Sequence, residues 1–160
     1  MKNDQVFTPA LIVTKMLDLV GYENESIPTK TILEPSFGDG AFLNQILERI
    51  ISFSKSNHLS PEETISILNN ISGIEIDKEL YQKTKSALIK KCKSHGIDYM
   101  WDNLICGDST EIIESNKYDI VVMNPPLSIN QQLCKRDRYA SINHKKQLHT
   151  HLYHGGVVVS

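Results

Sequence analysis

The chain of 160 residues is 40% hydrophobic and 22% charged, with 8 Gly, 6 Pro and 3 Cys. This composition is ordinary for one globular domain and excludes a collagen-like or largely disordered protein. The sequence has no apolar run of 18 residues, and its first five residues carry Lys2 and Asp4 without the apolar region of a secretory signal. We therefore expect a cytoplasmic protein with neither a membrane span nor a secretory signal.

The net charge of −2 conceals an uneven distribution. Residues 127–160 hold five basic side chains and one acidic, a net charge of +4, which leaves 12 basic and 18 acidic side chains elsewhere, a net charge of −6. Because Lys and Arg contacts to phosphate supply most non-specific affinity for nucleic acids, this acidic body predicts weak binding to DNA or RNA by itself.

Hydrophobic periodicity and capping residues predict strands that alternate with helices. Thr8 as an N-cap and Pro9 at the first helical position predict a helix over 9–20. A short strand over 31–34 leads through a glycine loop into a helix over 41–53. The later predicted elements are helix 61–69 capped by Ser60, strand 71–76, helix 78–93 capped by Asp77, strand 104–106, helix 110–114, strand 118–123 and a final strand over 155–159. This alternation predicts a parallel sheet with helices on both faces.

Polar residues stand at the ends of four successive predicted strands, namely Glu34, Glu75, Asp108 and Asn124. In an open parallel sheet, ligands bind outside the carboxyl ends of the strands, near the point where the strand order reverses. Taken singly, each residue fits a helix cap or a turn equally well. Four of them in register beside a glycine loop favour a binding site.

The loop Phe-Gly-Asp-Gly at 37–40 lets the backbone approach a ligand closely, because glycine lacks a Cβ. It also opens a helix whose first amides can receive a negative group. Glu75 suits an acceptor for a ribose diol, as in dinucleotide-binding folds, although it lies 35 residues beyond Gly40 instead of about 20. The additional helix 61–69 accounts for the greater number of residues between Gly40 and Glu75.

Asn124, Pro125 and Pro126 follow a strand predicted to be buried. Two consecutive prolines fix the backbone, remove two N–H donors and leave the Asn124 amide oxygen and neighbouring carbonyls as acceptors. Such acceptors suit an amino group and favour the pyramidal nitrogen that attacks an electrophilic carbon. For this motif alone, a rigid turn without a ligand is the alternative.

Five segments, in this order, resemble the S-adenosylmethionine-dependent DNA adenine-N6 methyltransferases of restriction-modification systems. They are FTP at 7–9, LEPSFGDGAFL at 33–43, GIEID at 73–77, GD at 107–108 and DIVVMNPP at 119–126. The resemblance covers residues 5–127. It implies an α/β fold with a Rossmann-like doubly wound parallel sheet of the class I methyltransferase type, incomplete after the fifth strand.

The same resemblance implies how the chain is organised. Residues 1–160 would form a single, incomplete catalytic domain without a target recognition domain. Its parts would be an N-terminal cofactor-contact helix in 1–22, a cofactor-binding core over 31–127 and a divergent or truncated tail over 128–160.

The resemblance also implies the cofactor contacts of individual residues. The methionine part of S-adenosylmethionine would be surrounded by Phe7, Thr8, Pro9, Glu34, Pro35, Ser36, Phe37, Gly38 and Gly40. Glu75 would bind the ribose hydroxyls, and Ile76 would pack on the adenine ring. Asp108, with Ser109 beside it, would accept a hydrogen bond from the adenine amino group. Asn124 also belongs to the implied cofactor-binding set.

For catalysis, the resemblance implies the set Asn124, Pro125, Pro126 and Leu127. Asn124 and the Pro125 carbonyl would bind the target amine, which attacks the sulfonium methyl directly, without a protein nucleophile or a metal. Leu127 stands where the family has Tyr or Phe, whose ring stacks on the flipped base. Since base stacking on an aromatic ring contributes about 1 to 3 kcal/mol, Leu127 is expected to weaken binding of that base by roughly tenfold to a hundredfold.

Two kinds of partner are expected. DNA would be read through a missing or separate recognition domain, and a protein partner could cover the exposed edge of the incomplete sheet. Two alternatives to DNA methylation remain open at this point. One is a methyltransferase of RNA or of protein glutamine, since such enzymes share the Asn-Pro-Pro motif, and the other is a non-catalytic cofactor-binding or partner-binding remnant.

No metal site is expected from the cysteines and histidines. Cys92, Cys106 and Cys134 lie far apart without a CxxC spacing, which indicates neither a zinc site nor a disulfide framework. Four histidines lie within residues 144–154 without an accompanying carboxylate or cysteine. A solvated helix face or a divergent tail is therefore preferred to a metal site for this segment.

Overall fold

Five short parallel strands form one sheet in the computed structural model, which describes residues 9–112 and 117–124 and the backbone of 157–159. The strands are β1 (Ile32–Glu34), β2 (Ile71–Glu75), β3 (Leu104–Cys106), β4 (Ile120–Val122) and β5 (Val157–Val159). Their order across the sheet is β3-β2-β1-β4-β5. The helices are α1 (Ala10–Leu19), α2 (Ala41–Ser56), α3 (Pro61–Leu68), α4 (Lys78–Ser94) and α5 (Ser109–Ile112), with a 3₁₀ turn at Asn24–Ser26.

Strand β1 lies in the middle of the sheet and marks the point where the strand order reverses. Ile32 pairs with Ile71 of β2 on one side and with Ile120 of β4 on the other. The chain moves outward to β3 and then returns to the other side of β1. The predicted parallel α/β sheet is thus confirmed, and its reversal point lies between β1 and β4.

The two faces of the sheet bury separate clusters. Ile32, Ile71 and Leu104 pack with α1, α2, α3 and α4 in the larger cluster. The neighbouring residues Leu33, Ile74 and Val121 point the other way and pack with Ile112 of α5 and with Tyr118. Since successive strand residues face opposite sides, this alternation buries β1, β2 and β4 on both faces, whereas Ile105 of β3 is exposed.

The predicted helix caps are present at two sites. Ser60 Oγ accepts from the Glu63 amide at 3.2 Å, and Glu63 Oε2 accepts from the Ser60 amide at 2.7 Å, which completes a capping box at α3. Asp77 Oδ1 accepts from the amides of Glu79 and Leu80 at the start of α4. Both helices therefore begin where the sequence predicts.

The predicted start of α1 is wrong by one residue. Pro9 has ψ 138°, which is extended, so it is the N-cap and the helix begins at Ala10. A proline φ near −60° suits either position, so the sequence does not distinguish them. Thr8, the predicted cap, lies outside the described residues.

Strand β4 is shorter than predicted, with three residues in place of six. Asp119, predicted within the strand, instead accepts hydrogen bonds from the Thr31 amide and hydroxyl, both at 2.9 Å. These bonds hold the pKa of the Asp119 carboxyl below its ordinary value. Asp119 thereby links the amino ends of β1 and β4 through hydrogen bonds.

Within the described ranges, no helix is long and apolar enough to cross a membrane.

Candidate active site

The carboxyl ends of β1, β2, β3 and β4 all lie at one edge of the sheet, because the four strands are parallel. Glu34 and Glu75 are the last residues of β1 and β2, whereas Asp108 and Asn124 each follow a strand end by two residues. The fold therefore brings the four predicted residues to the same edge, on both sides of the reversal point.

The loop between β1 and α2 depends on two glycines in the left-handed region, Gly38 at φ +51° and Gly40 at φ +79°. The Gly40 amide donates to the Phe37 carbonyl at 2.7 Å, which closes a tight turn. A Cβ built at Gly38 meets no atom within 4 Å, whereas one built at Gly40 overlaps the Thr84 Cγ2 methyl. The loop is thus open at Gly38 and packed against α4 at Gly40.

Glu75 is a buried carboxylate that binds the loop as well as its own strand end. Its Oε2 accepts from the Gly38 amide at 2.7 Å, and its Oε1 accepts from the Asp77 amide at 2.8 Å. A carboxylate has about four acceptor positions, so these two bonds leave capacity for ribose hydroxyls. The sequence predicts the binding role of Glu75 but not its bond to a loop 37 residues away.

Glu34 lies beneath this loop and is 2% exposed. Its Oε2 has no hydrogen-bond partner among the described residues. Burial raises the pKa of the Glu34 carboxyl well above its ordinary value, and the charges of Asp39 and Glu75 raise it further, while the Leu43 amide acts in the opposite direction. A buried oxygen without a partner calls for an explanation, and a ligand at this edge would supply one.

The predicted adenine contacts lie around the ends of β2 and β3. Ile76 is 68% exposed directly after the buried Glu75, so its apolar side chain is accessible at this edge of the sheet. Asp108 Oδ1 accepts from the Thr110 amide at 2.9 Å and from the Thr110 hydroxyl at 2.7 Å. Asp108 therefore caps the turn that begins at Ser109, the helix-cap alternative that the sequence left open.

The loop side chains differ in where they point. Phe37 is buried, and its ring centroid lies 6.2 Å from that of Tyr81 on α4. A Cβ at Gly73 would lie 2.8 Å from the Phe37 ring, so Gly73 makes room for this side chain under the loop. Pro35 is also buried, and Ser36 is half-buried. Any contact of Phe37 with a ligand at the loop would therefore come from its backbone.

Asn124 is exposed at the carboxyl end of β4, two residues after the buried Val122. Several predicted site residues lie outside the described residues, namely Phe7, Thr8, Pro125, Pro126 and Leu127. The histidines of 144–154 do as well. In the part of the chain that is described, no three His, Cys, Asp or Glu side chains are grouped closely enough to hold a metal ion.

Thr84 on α4 is a residue of this site that the sequence analysis did not single out. It is buried, and its hydroxyl donates to the Gly38 carbonyl at 2.9 Å. A signal for it exists in the sequence, because Thr84, Leu88 and Cys92 form the buried stripe of α4 at a spacing of four residues. A threonine in such an apolar stripe must find a partner for its hydroxyl.

Comparisons with known proteins agree with the family resemblance and the fold predicted from the sequence. The family model described as N-6 DNA Methylase matches residues 1–154. The type II methyltransferase M.BstVI of Geobacillus stearothermophilus is 33% identical in an alignment 165 residues long, gaps included, which covers 90% of this chain and 29% of that protein. The chain thus spans less than a third of this relative.

Two solved structures share the fold. The Type ISP restriction-modification enzyme LlaBIII, solved bound to DNA, superposes with a TM-score of 0.60 at 17% identity, over 77% of this chain and 10% of LlaBIII. The M protein of the type I restriction enzyme EcoKI superposes with a TM-score of 0.56 at 19% identity, over 79% of this chain and 26% of that protein. These similarities confirm the predicted Rossmann-like sheet of the class I methyltransferase type. Given the match of the family model over residues 1–154, the chain belongs to the N-6 DNA methylase family, whose methyl donor is S-adenosylmethionine.

Proposed function

We propose that this chain provides the cofactor-binding and amine-binding part of an enzyme that methylates the N6 amino group of adenine in DNA. The observation that carries the proposal is the convergence of Glu34, the loop at 37–40, Glu75 and Asn124 at one edge of the sheet. The family match favours this function over methylation of RNA or of protein glutamine.

Three features of the described residues fit S-adenosylmethionine. The space in front of Gly38 is open, so a ligand can reach the loop backbone. Ile76 presents an apolar surface directly after the Glu75 carboxylate, an order that suits an adenine ring next to a ribose. Glu34 offers a buried oxygen without a partner to a cationic group. The cofactor would supply a methyl group activated by a positively charged sulfur.

The roles of the chain's own residues follow from their chemistry. Glu75 would accept from the ribose hydroxyls while it keeps its bond to the Gly38 amide. Glu34 would accept from the methionine ammonium, and the first amides of α2 would receive the methionine carboxylate. Asp108 would accept from the adenine amino group, with Ser109 beside it, and Pro9 would lie at the methionine end with Phe7 and Thr8.

Asn124 would orient the target amine. Its side-chain oxygen can accept one amine hydrogen, and the Pro125 carbonyl would accept the second, so that the nitrogen lone pair is directed at the methyl group. In the proposed catalytic set, Pro126 would keep this turn rigid, and Leu127 would give the extruded base only apolar contact.

DNA recognition is part of the same proposal. LlaBIII was solved bound to DNA, which supports DNA as the partner of this fold. The acidic character of residues 1–126 leaves sequence readout to a separate recognition domain. We further propose that 1–160 forms one catalytic unit with its cofactor-binding core in 31–127.

A transfer assay with three acceptors tests the proposal. The chain is incubated with S-adenosylmethionine carrying a tritiated methyl group and with adenine-containing DNA, transfer RNA or a glutamine peptide. Label in the N6 position of DNA adenine is expected, with the DNA in large excess because the chain alone is expected to bind DNA weakly. Label in RNA or in the peptide alone would contradict the proposal, and cofactor binding without any transfer would favour the non-catalytic remnant.

A further inference from the structure

Thr84 makes a hydrogen bond that is unusual for a buried threonine in a helix. Such a hydroxyl usually bonds to a carbonyl one turn earlier in its own helix. Thr64 of α3 does so, with its hydroxyl donating to the Ser60 carbonyl at 3.0 Å. Thr84 is equally buried but directs its hydroxyl out of α4, to the carbonyl of Gly38 46 residues earlier in the chain.

The Gly38 residue is therefore held at both of its backbone groups. Its amide donates to Glu75 Oε2 at 2.7 Å, and its carbonyl accepts from Thr84 Oγ1 at 2.9 Å. The amide of Phe37 donates to the Ile74 carbonyl at 3.1 Å, which fixes the residue before it. Strand β2 and helix α4 thus hold the loop that follows β1.

The methyl group of Thr84 packs against Gly40, the second glycine of the loop. A Cβ at Gly40 would overlap Thr84 Cγ2, so the methyl group packs directly against the Gly40 backbone. Glycines lose more conformational freedom on ordering than other residues, and here two of them lie within three positions. One side chain on α4 therefore restrains both glycines.

We propose that Thr84 is a positioning residue that holds the loop in its binding conformation before the cofactor arrives. The proposal rests on the proposed function, in which the loop contacts the methionine part of S-adenosylmethionine. A loop ordered in advance does not lose conformational entropy when the ligand binds, so affinity increases. The Gly38 amide is occupied by Glu75, whereas the Gly38 carbonyl keeps a second acceptor position, so the ligand would bind to this carbonyl or to other groups of the loop.

The test compares Thr84→Val with Thr84→Ser. Valine has the shape of threonine without the hydroxyl, and serine keeps the hydroxyl without the methyl. Calorimetric titration with S-adenosylhomocysteine should show about a tenfold higher Kd for Thr84→Val, the effect of one buried hydrogen bond. Thr84→Ser should show a smaller rise in Kd, because it loses only the methyl contact with Gly40. Thr64→Val is the matched control, since it removes an equally buried hydroxyl away from the site, and its Kd should not change.

A second readout does not need the cofactor. Amide hydrogen exchange of residues 36–40 in the ligand-free protein should be faster in Thr84→Val than in the wild type, while exchange in α2 and α4 stays unchanged. A merely structural role would lower global stability and speed exchange throughout the chain. Wild-type Kd and wild-type exchange in Thr84→Val would overturn the proposal, as would a loss in Thr84→Ser equal to that in Thr84→Val.

Two further outcomes are separable. If the wild type does not bind S-adenosylhomocysteine, the proposed function fails, and local exchange alone decides whether Thr84 orders the loop. If Thr84→Val does not fold, Thr84→Ala replaces it. Wild-type affinity in Thr84→Ala would overturn the proposal, and a higher Kd with local loosening of 36–40 would support it.

Discussion

Glu75 at the end of β2 accepts a hydrogen bond from the Gly38 amide in the loop after β1, with 2.7 Å between Oε2 and the nitrogen. The carboxylate proposed to bind the ribose thus also holds the loop proposed to surround the methionine part. We therefore expect binding at the two ends of the cofactor to be coupled through this one side chain.

Replacement of Glu75 should therefore impair cofactor binding more than the loss of a single ribose contact would. Glu75→Gln retains one acceptor oxygen and places an NH₂ group against a backbone amide donor, so the Gly38 bond or the Asp77 bond is lost. We expect Kd for S-adenosylhomocysteine to rise by about tenfold to a hundredfold, the cost of one to two hydrogen bonds to a charged group. Calorimetric titration measures this Kd.

Glu63→Gln is the matched control for this variant. Glu63 Oε2 also accepts from a backbone amide at 2.7 Å, but at the start of α3. The Kd of Glu63→Gln for S-adenosylhomocysteine should equal that of the wild type. An unchanged Kd in Glu75→Gln would show that Glu75 neither binds the ribose nor holds the loop for the cofactor.

Replacement of Asn124 should separate catalysis from cofactor binding. Asn124→Ala removes the side-chain acceptor proposed for the target amine, and the cofactor contacts assigned to Glu75 and Ile76 remain. We expect methyl transfer to DNA to fall by at least about a hundredfold, the effect of one preorganised polar group, with little change in Kd. Single-turnover transfer and calorimetry give the two quantities.

Asn57→Ala, at the carboxyl end of α2, serves as the control for Asn124→Ala. Equal losses of transfer and of cofactor affinity in Asn124→Ala would refute the assignment of Asn124 to the amine.

Glu34 should make stability depend on pH. Its pKa is raised by burial, so the folded chain binds this proton more tightly than the unfolded chain. The resulting stabilisation is fully present below the ordinary pKa of a glutamate and is lost as pH rises through the folded pKa. Glu34→Gln keeps a neutral side chain at all pH values. Its Tm should exceed that of the wild type at pH 8 by about 2 to 4 °C, which corresponds to about 1 kcal/mol, and the difference should shrink toward pH 4.

The same Glu34→Gln substitution should weaken cofactor binding, because the amide keeps one acceptor oxygen but cannot supply the negative charge proposed to pair with the methionine ammonium. Opposite effects on stability and affinity are therefore expected, as measured by thermal unfolding at several pH values and by calorimetry. A Tm difference independent of pH would contradict the raised pKa of the Glu34 carboxyl.

The two loop glycines should differ in their tolerance of alanine. Both lie at positive φ, which costs an alanine about 1 to 2 kcal/mol. At Gly38 this backbone strain is the whole loss of stability, because a Cβ there meets no other atom within 4 Å. At Gly40 the added Cβ also overlaps Thr84 Cγ2. Gly40→Ala should thus be the more destabilising variant in urea unfolding, and Thr84→Ser should recover part of that loss in the double variant. Equal costs at the two glycines would contradict this packing.

The sequence predicted the order of the elements because each one has a local signal. The capping box at Ser60, the Asp77 cap and the alternation of strands with helices all lie within a few residues of the structure they specify. The contacts of Glu75 with Gly38 and of Thr84 with Gly38 span 37 and 46 residues. Hydrophobic patterning shows that such side chains are buried but not which buried polar atoms meet across the fold, so neither contact was predicted.

The central claim is that the carboxyl edge around Glu75 binds S-adenosylmethionine, and calorimetric titration of the wild type and of Glu75→Ala tests it most directly. We predict saturable binding with one cofactor per chain in the wild type and a Kd raised by at least about tenfold in Glu75→Ala. No heat of binding at millimolar cofactor in the folded wild type, or equal affinity in the two proteins, would contradict the claim.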